Sequence, residues 1–183
     1  MITGVEIDFV VEDSLKALEM YQAIFADALE VIEKTSFPTG LNEAVFTLYG
    51  TRFHLLDANA EYNLLAPTED DPKTLWFNVM VPNIKDTFQN AIDNGASVIQ
   101  ELMHMPEMGV TNGMFLDNSN YIWMLHEIHE EVSFEKREEF FKDEFNLDEI
   151  EVEKELCILF MGTPEFSVPI LEGLIENYKI RAV

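Results

Sequence analysis

The feature that most constrains this chain is an internal 70-residue repeat, in which positions 5–25 return as positions 75–95. In "VEIDFVVEDSLKALEMYQAIF" (5–25) Val5, Ile7, Phe9 and Val11 fall on one face of an extended strand, while Glu6, Asp8 and Val10 fall on the other. Asp13 or Ser14 then offers a helix N-cap, and Leu18, Tyr21 and Phe25 follow at helical spacing. In "LWFNVMVPNIKDTFQNAIDNG" (75–95) Leu75, Phe77, Val79 and Val81 share a face opposite Trp76, Asn78 and Met80. Asn83 is the cap, Ile84, Phe88, Ala91 and Ile92 point inward, and Gly95 suits the helix end. Each strand and cap position of the first segment has its counterpart in the second.

The repeat extends past the helices. "TRFHLLD" (51–57) follows Gly50, and "YIWMLHE" (121–127) follows the turn residues Asp117-Asn118-Ser119-Asn120. Two further strands are expected in each half: Leu29–Thr35 and Glu43–Leu48, then Ser97–Leu102 and Thr111–Leu116. The fold class is therefore α+β, with two βαβββ modules over 1–62 and 74–130. "NLLAPTEDDPKT" (63–74), with two prolines and three acids, reads as the joint.

Two such modules resemble the vicinal-oxygen-chelate superfamily, the glyoxalase/bleomycin-resistance fold. "VVEDSLKALEMYQAIF" resembles its strand and helix opening, and "LDNSNYIWMLHE" its final tryptophan-bearing strand, closest to the PhnB-like branch. Asn118 and Asn120 stand where the pattern usually has Pro and Gly. The resemblance covers residues 1–130. It implies a glyoxalase-like open barrel, a small-molecule ligand held in the concave cup of the sheet, and a homodimer.

In metal-using members of that superfamily the ligands come from the concave faces of the first and last strand of each module. Carried onto this sequence, those positions are Glu6, His54, Trp76 and Met124. Glu6 and His54 suit a hard or borderline ion; an indole N–H cannot ligate, and a thioether is too soft. The expectation is accordingly no metal and no other cofactor. Asp8, two positions on from Glu6, could still replace a lost ligand. Glu6, His54, Trp76, Asn78 and Met124 then form a binding cup with an acidic edge, and Met80, Met103, Met105, Met108 and Met114 add soft lining. The alternative is an enzyme, a metal-assisted lyase, isomerase or dioxygenase, with Glu6 and His54 as metal ligands, Asp8 as an extra ligand or base, and Glu6 and Asp8 as the catalytic residues. Each residue also has a plainer role: Glu6 and Asp8 in a hydrogen-bond network with His54 or Arg52, Trp76 as core. His104, His126 and His129 show no recognisable partners, although His126 shares the alternation of Met124.

Composition narrows the function classes. The chain has 183 residues, 48% of them hydrophobic, enough for a buried core. Thirty-five acids against 11 bases give a net charge of −24, which argues against nucleic acid and anionic membranes as partners. A single cysteine, Cys157, the absence of a basic-then-apolar start in "MITGVEIDF" and the lack of a membrane-length apolar run suggest the cytoplasm.

The last third is different. Residues 131–156 read as an acidic helical linker, with Phe134, Phe141 and Phe145 on one helical face; it would pack on the barrel or a partner, or offer an acidic surface. Residues 157–183, "CILFMGTPEFSVPILEGLIENYKIRAV", resemble the opening strand, turn and helix of methionyl-tRNA formyltransferase, truncated. That family's catalytic residues and folate site lie far downstream of its opening, so the resemblance implies no formyl transfer here. Ile158–Met161, an apolar strand, would seek a sheet edge. A gene-boundary junction and a truncated fusion both explain the segment.

Overall fold

A computed structural model describes residues 3–38 and 40–145. The chain divides into two compact units, Met1–Lys142 and Asp143–Val183. Every strand among the described residues belongs to the first unit; the expectations for 157–183 lie outside the described residues.

The first module runs β1 (Glu6–Val11), α1 (Ser14–Phe25), β2 (Leu29–Lys34), β3 (Glu43–Leu48), β4 (Thr51–Asp57). The second runs β5 (Trp76–Met80), α2 (Ile84–Asp93), β6 (Ser97–Met105), β7 (Val110–Leu116), β8 (Ile122–Ile128). A third helix, α3 (Phe134–Glu144), follows. Each module makes one four-stranded sheet, ordered β1-β4-β3-β2 and β5-β8-β7-β6. The parallel pairs keep the offset of the repeat: Glu6 lies opposite Arg52 and Asp8 opposite His54, while Trp76 lies opposite Ile122 and Asn78 opposite Met124.

Both helices start as the sequence dictates. Asp13 and Asn83, each extended, accept from the backbone N–H of Lys16 (3.0 Å) and Asp86 (3.1 Å). A carboxylate at the end of each module's last strand takes one more free helix N–H. Ser14 N donates to Asp57 Oδ1 (2.7 Å) and Ile84 N to Glu127 Oε2 (2.9 Å), two pairs again related by the repeat.

The helices cover one face of each sheet, and those two covered faces share a single core. Phe9 of β1 stacks on Phe77 of β5 with ring centroids 4.8 Å apart, and Phe77 meets Trp123 of β8 at 4.7 Å. Tyr21 and Phe25 of α1 reach Trp123 at 5.3 and 5.1 Å. The junction is fastened by a buried carboxylate. Asp117 Oδ2 accepts from Tyr21 Oη and Trp123 Nε1, both at 2.7 Å, and Oδ1 accepts from the N–H of Ser119 (2.8 Å) and Tyr121 (2.9 Å). Burial pushes the Asp117 carboxyl up, against the pull of these hydrogen bonds. Burial, and then the Asp117 charge, push the Tyr21 phenol well above its ordinary value.

Several details depart from the sequence reading. Val5 precedes the first ladder pair and is 84% exposed, because no neighbouring strand holds it over the core. β6 continues beyond the expected Leu102 to Met105, through irregularities between Val98 and Met103. Neither sheet is closed, and among the described residues no strand of one pairs with a strand of the other. The Phe-bearing helix of the acidic segment is α3, in which no residue is buried.

Candidate functional site

Because the covered faces of the two sheets meet in one core, their opposite faces point away from it on two sides. The described residues place no helix over either.

On the first outer face, alternation and register set Glu6 and Asp8 of β1 beside Arg52 and His54 of β4, with Val45 and Glu43 of β3 next and Glu33 of β2 beyond. Arg52 is held between Glu6, to which its Nε donates in a close ion pair, and Glu33 at 3.7 Å. His54 is ringed by three carboxylates: Glu43 Oε2 at 3.1 Å from Nε2, and Glu6 Oε1 and Asp8 Oδ1 each 3.6 Å from Nδ1. The His54 side chain is 19% exposed, whereas that of Asp8 is 59% exposed. A hollow of about 190 Å³ sits here, lined by Glu6, Glu33, Glu43, Arg52 and His54 among others. One donor atom each from Glu6, Asp8 and His54 lies within 4.8 Å of the other two, a carboxylate–carboxylate–imidazole set that suits a hard or borderline divalent ion. Sequence alone left two donors at the superfamily's ligand positions, and the structure brings Asp8 beside them as a third.

Along β5, β7 and β8 the second outer face carries no acidic or basic side chain other than His126. Trp76, Asn78 and Met80 of β5 lie opposite Ile122, Met124 and His126 of β8, and Met114 and Asn112 of β7 continue the rows. Met103 of β6 pairs with Asn112. Trp76 is 51% exposed and Met80 61%. Asn78 Oδ1 lies 3.2 Å from His126 Nε2, and partial burial lowers the His126 pKa. Gln100 Nε2 donates to Asn112 Oδ1 (2.7 Å), and Asn112 Nδ2 to the Met105 sulfur (3.4 Å).

The expected cup is thus divided. Glu6, Asp8 and His54 are together on one face; Trp76, Asn78 and Met124 are together on another. Within one chain they do not meet. Alternation placed each residue on the right side of its own strand but carried no information on how the sheets face each other.

A larger hollow, about 320 Å³, lies at the start of α1 against Ala66, Pro67 and the 118–120 turn, and contains none of the expected residues. Among its lining residues Lys16 pairs with Asp13 at 3.1 Å, Asn118 Nδ2 donates to Asn94 O, and Asn120 Nδ2 to Pro67 O.

Two interactions were not legible in sequence. Asp117 reads as a turn residue, yet its side chain fastens the modules together. His104 and His129 are both within hydrogen-bond reach of Thr111 Oγ1.

No family model matches the chain. Among solved structures, FosX from Listeria monocytogenes, a genomically encoded fosfomycin resistance protein, superposes with a TM-score of 0.54 at 18% identity, covering 77% of this chain and 99% of that one. The fold is that of the vicinal-oxygen-chelate proteins. A PhnB protein from Bacillus cereus (TM-score 0.53, 16% identity, 68% of this chain and 99% of that one) and TioX from Micromonospora sp. ML1 (0.52, 15%, 70% and 100%) share it. The FosX structure holds Mn(II) and 1S,2S-dihydroxypropylphosphonic acid. Outside this fold, 28 residues are 79% identical to methionyl-tRNA formyltransferase from Clostridium acetobutylicum, and 27 are 78% identical to that from Lactobacillus acidophilus. The chain spans 9% of the length of either protein. Among the described residues no helix is long and apolar enough to cross a membrane.

Proposed function

We propose that the protein binds a small molecule in a cup completed by a second copy of the chain. The first outer face of one copy (Glu6, Asp8, Arg52, His54) supplies the polar floor, and the second outer face of its partner (Trp76, Asn78, Met124) supplies the wall. The observation that carries this reading is the outward direction of both faces: the polar floor and the aromatic wall expected of one cup stand on different sides of a single chain's core. Two identical composite cups would follow from a single twofold axis. Sedimentation at graded protein concentration, combined with a small-molecule thermal-shift screen, tests the reading. A hit whose stabilisation disappears in both Trp76→Ala and His54→Ala supports it. A chain that is monomeric while the hit is bound, or a hit indifferent to either variant, rejects it.

A second reading is metal-assisted catalysis at the first face, favoured by the convergence of Glu6, Asp8 and His54. There a divalent ion would act as a Lewis acid on a chelated oxygen. Glu43 would orient the His54 ring from its Nε2 side, and Arg52 would balance the charge of Glu6. Thermal shift with Mn²⁺, Zn²⁺, Ni²⁺ or Fe²⁺ distinguishes the readings: a shift removed by Glu6→Ala and by Asp8→Ala supports the metal, and no shift with any ion rejects it. Formyl transfer forms no part of either proposal, since the chain spans so little of that enzyme.

A further inference from the structure

We propose that His104 and His129 form a separate cation site, for a borderline divalent ion such as Zn²⁺, Ni²⁺ or Cu²⁺, at the end of the second sheet beside the start of α2. The two residues are distant in sequence and come together through strand register. His104 of β6 is the ladder partner of Thr111 of β7, and Thr111 is the ladder partner of Glu127 of β8. His129 follows β8, two positions beyond Glu127 and on the same side. Its backbone N–H donates to Gly109 O at 2.8 Å. Gly109 has φ +66°, and a Cβ there would overlap the Glu130 carbonyl oxygen, so this approach of the chain requires glycine.

The chemistry follows from where the nitrogens point. His129 Nε2 lies 2.7 Å and His104 Nδ1 3.1 Å from the same atom, Thr111 Oγ1. The rings are edge to face with centroids 5.3 Å apart. Two imidazole nitrogens converge on one hydroxyl oxygen, so an ion taking the place of that hydroxyl, with Thr111 turned aside, would meet both nitrogens. His129 Nδ1 faces Glu127 Oε1 at 3.7 Å, and the other Glu127 oxygen is fixed by Ile84 N. At 3.7 Å the Glu127 carboxylate is too far for a hydrogen bond, but its charge beside Nδ1 favours the proton on that far nitrogen, which would leave the near nitrogen's lone pair for an ion. With the His129 proton on Nδ1, Thr111 Oγ1–H would donate to His129 Nε2 and Thr111 Oγ1 would accept from His104 Nδ1–H. Binding an ion then requires the His104 proton to sit on Nε2 and the Thr111 hydroxyl proton to turn away from His129 Nε2. Water completes the sphere.

This site shares no residue with the Glu6, Asp8 and His54 set and does not depend on the proposed cup. The test uses the full chain carrying His54→Ala, which disables the first face, with Zn²⁺ or Ni²⁺ as the probe. Zn²⁺ should shift the ring ¹⁵N resonances of both His104 and His129 together, with one ion per chain by calorimetry. His104→Ala and His129→Ala should each weaken binding by at least about tenfold, and Glu127→Gln, which keeps an acceptor for Ile84 N, by about tenfold. Fluorescence of buried Trp123 reports whether each variant is folded, and Thr111→Val, which removes the hydroxyl but keeps both imidazoles, should still bind. Ring resonances unmoved at millimolar Zn²⁺, or binding indifferent to both histidine variants, would overturn the proposal.

Discussion

The two outer sheet faces have the same strand order and the same register, yet opposite chemistry. One presents four carboxylates around a guanidinium and an imidazole; the other presents an indole, amides and thioethers. Their covered faces are alike: Phe9, Phe53 and Leu55 in one module, Phe77, Trp123 and Leu125 in the other, all buried. A scaffold constrains its positions unequally. A face packed under a helix must be apolar and shaped to fit, whereas the face opposite is free to take on a task.

The comparison can be broken most severely at the junction. Asp117→Ala should remove the acceptor of four hydrogen bonds and leave Tyr21 Oη and Trp123 Nε1 buried without partners, costing about 3 kcal/mol or more. Urea unfolding at pH 7 would measure it. The pH profile sharpens the point. The Asp117 pKa is raised in the folded state, so its contribution is fully present below the unfolded carboxyl value of 3.8 and is lost as pH rises through the folded value. Relative to Asp117→Asn, the wild type should therefore gain stability as pH falls through the acid range.

The two tryptophans provide the next contrast. Trp123→Ala empties a fully buried site and should cost about 3–5 kcal/mol. Trp76→Ala, on the half-exposed outer face, should change the stability of the chain by about 0.5 kcal/mol or less. Equal losses at high dilution would show that the second outer face is covered within the chain.

A smaller effect is expected on the charged face. Arg52→Ala leaves Glu6 and Glu33 without their cation, but at 35% side-chain exposure solvent screens the loss to about 0.5–1 kcal/mol. The deficit should shrink in high salt, and melting curves with and without added salt would reveal it. The smallest effect is at His126, on the neutral face. Its pKa is lowered by burial, so its contribution is present above the unfolded value of 6.5 and lost as pH falls through the folded value. His126→Gln should flatten that decline in thermal melts between neutral and mildly acidic pH.

Much of the fold was legible because it is local. Alternation in "VEIDF" and "LWFNV", caps at Asp13 and Asn83, and a repeat carried into the ladder pairs are properties of neighbouring residues or of the repeat itself. The sites were legible only in halves. The sequence assigned Glu6, Asp8 and His54 to one face of their strands and Trp76, Asn78 and Met124 to one face of theirs, but merged them into a single cup. His104, Thr111 and His129 were passed over because nothing in the intervening sequence announces that two strand ends converge.

What the sequence determined by itself, then, is two βαβββ modules, their helix starts, and which side of each strand is apolar, since backbone periodicity and capping act over short stretches of chain. The tertiary structure decided that the apolar sides share one core and the outer faces point apart. That outcome rests on contacts such as Phe9 with Phe77 and Tyr21 with Asp117, between residues of different modules, whose packing no local pattern encodes.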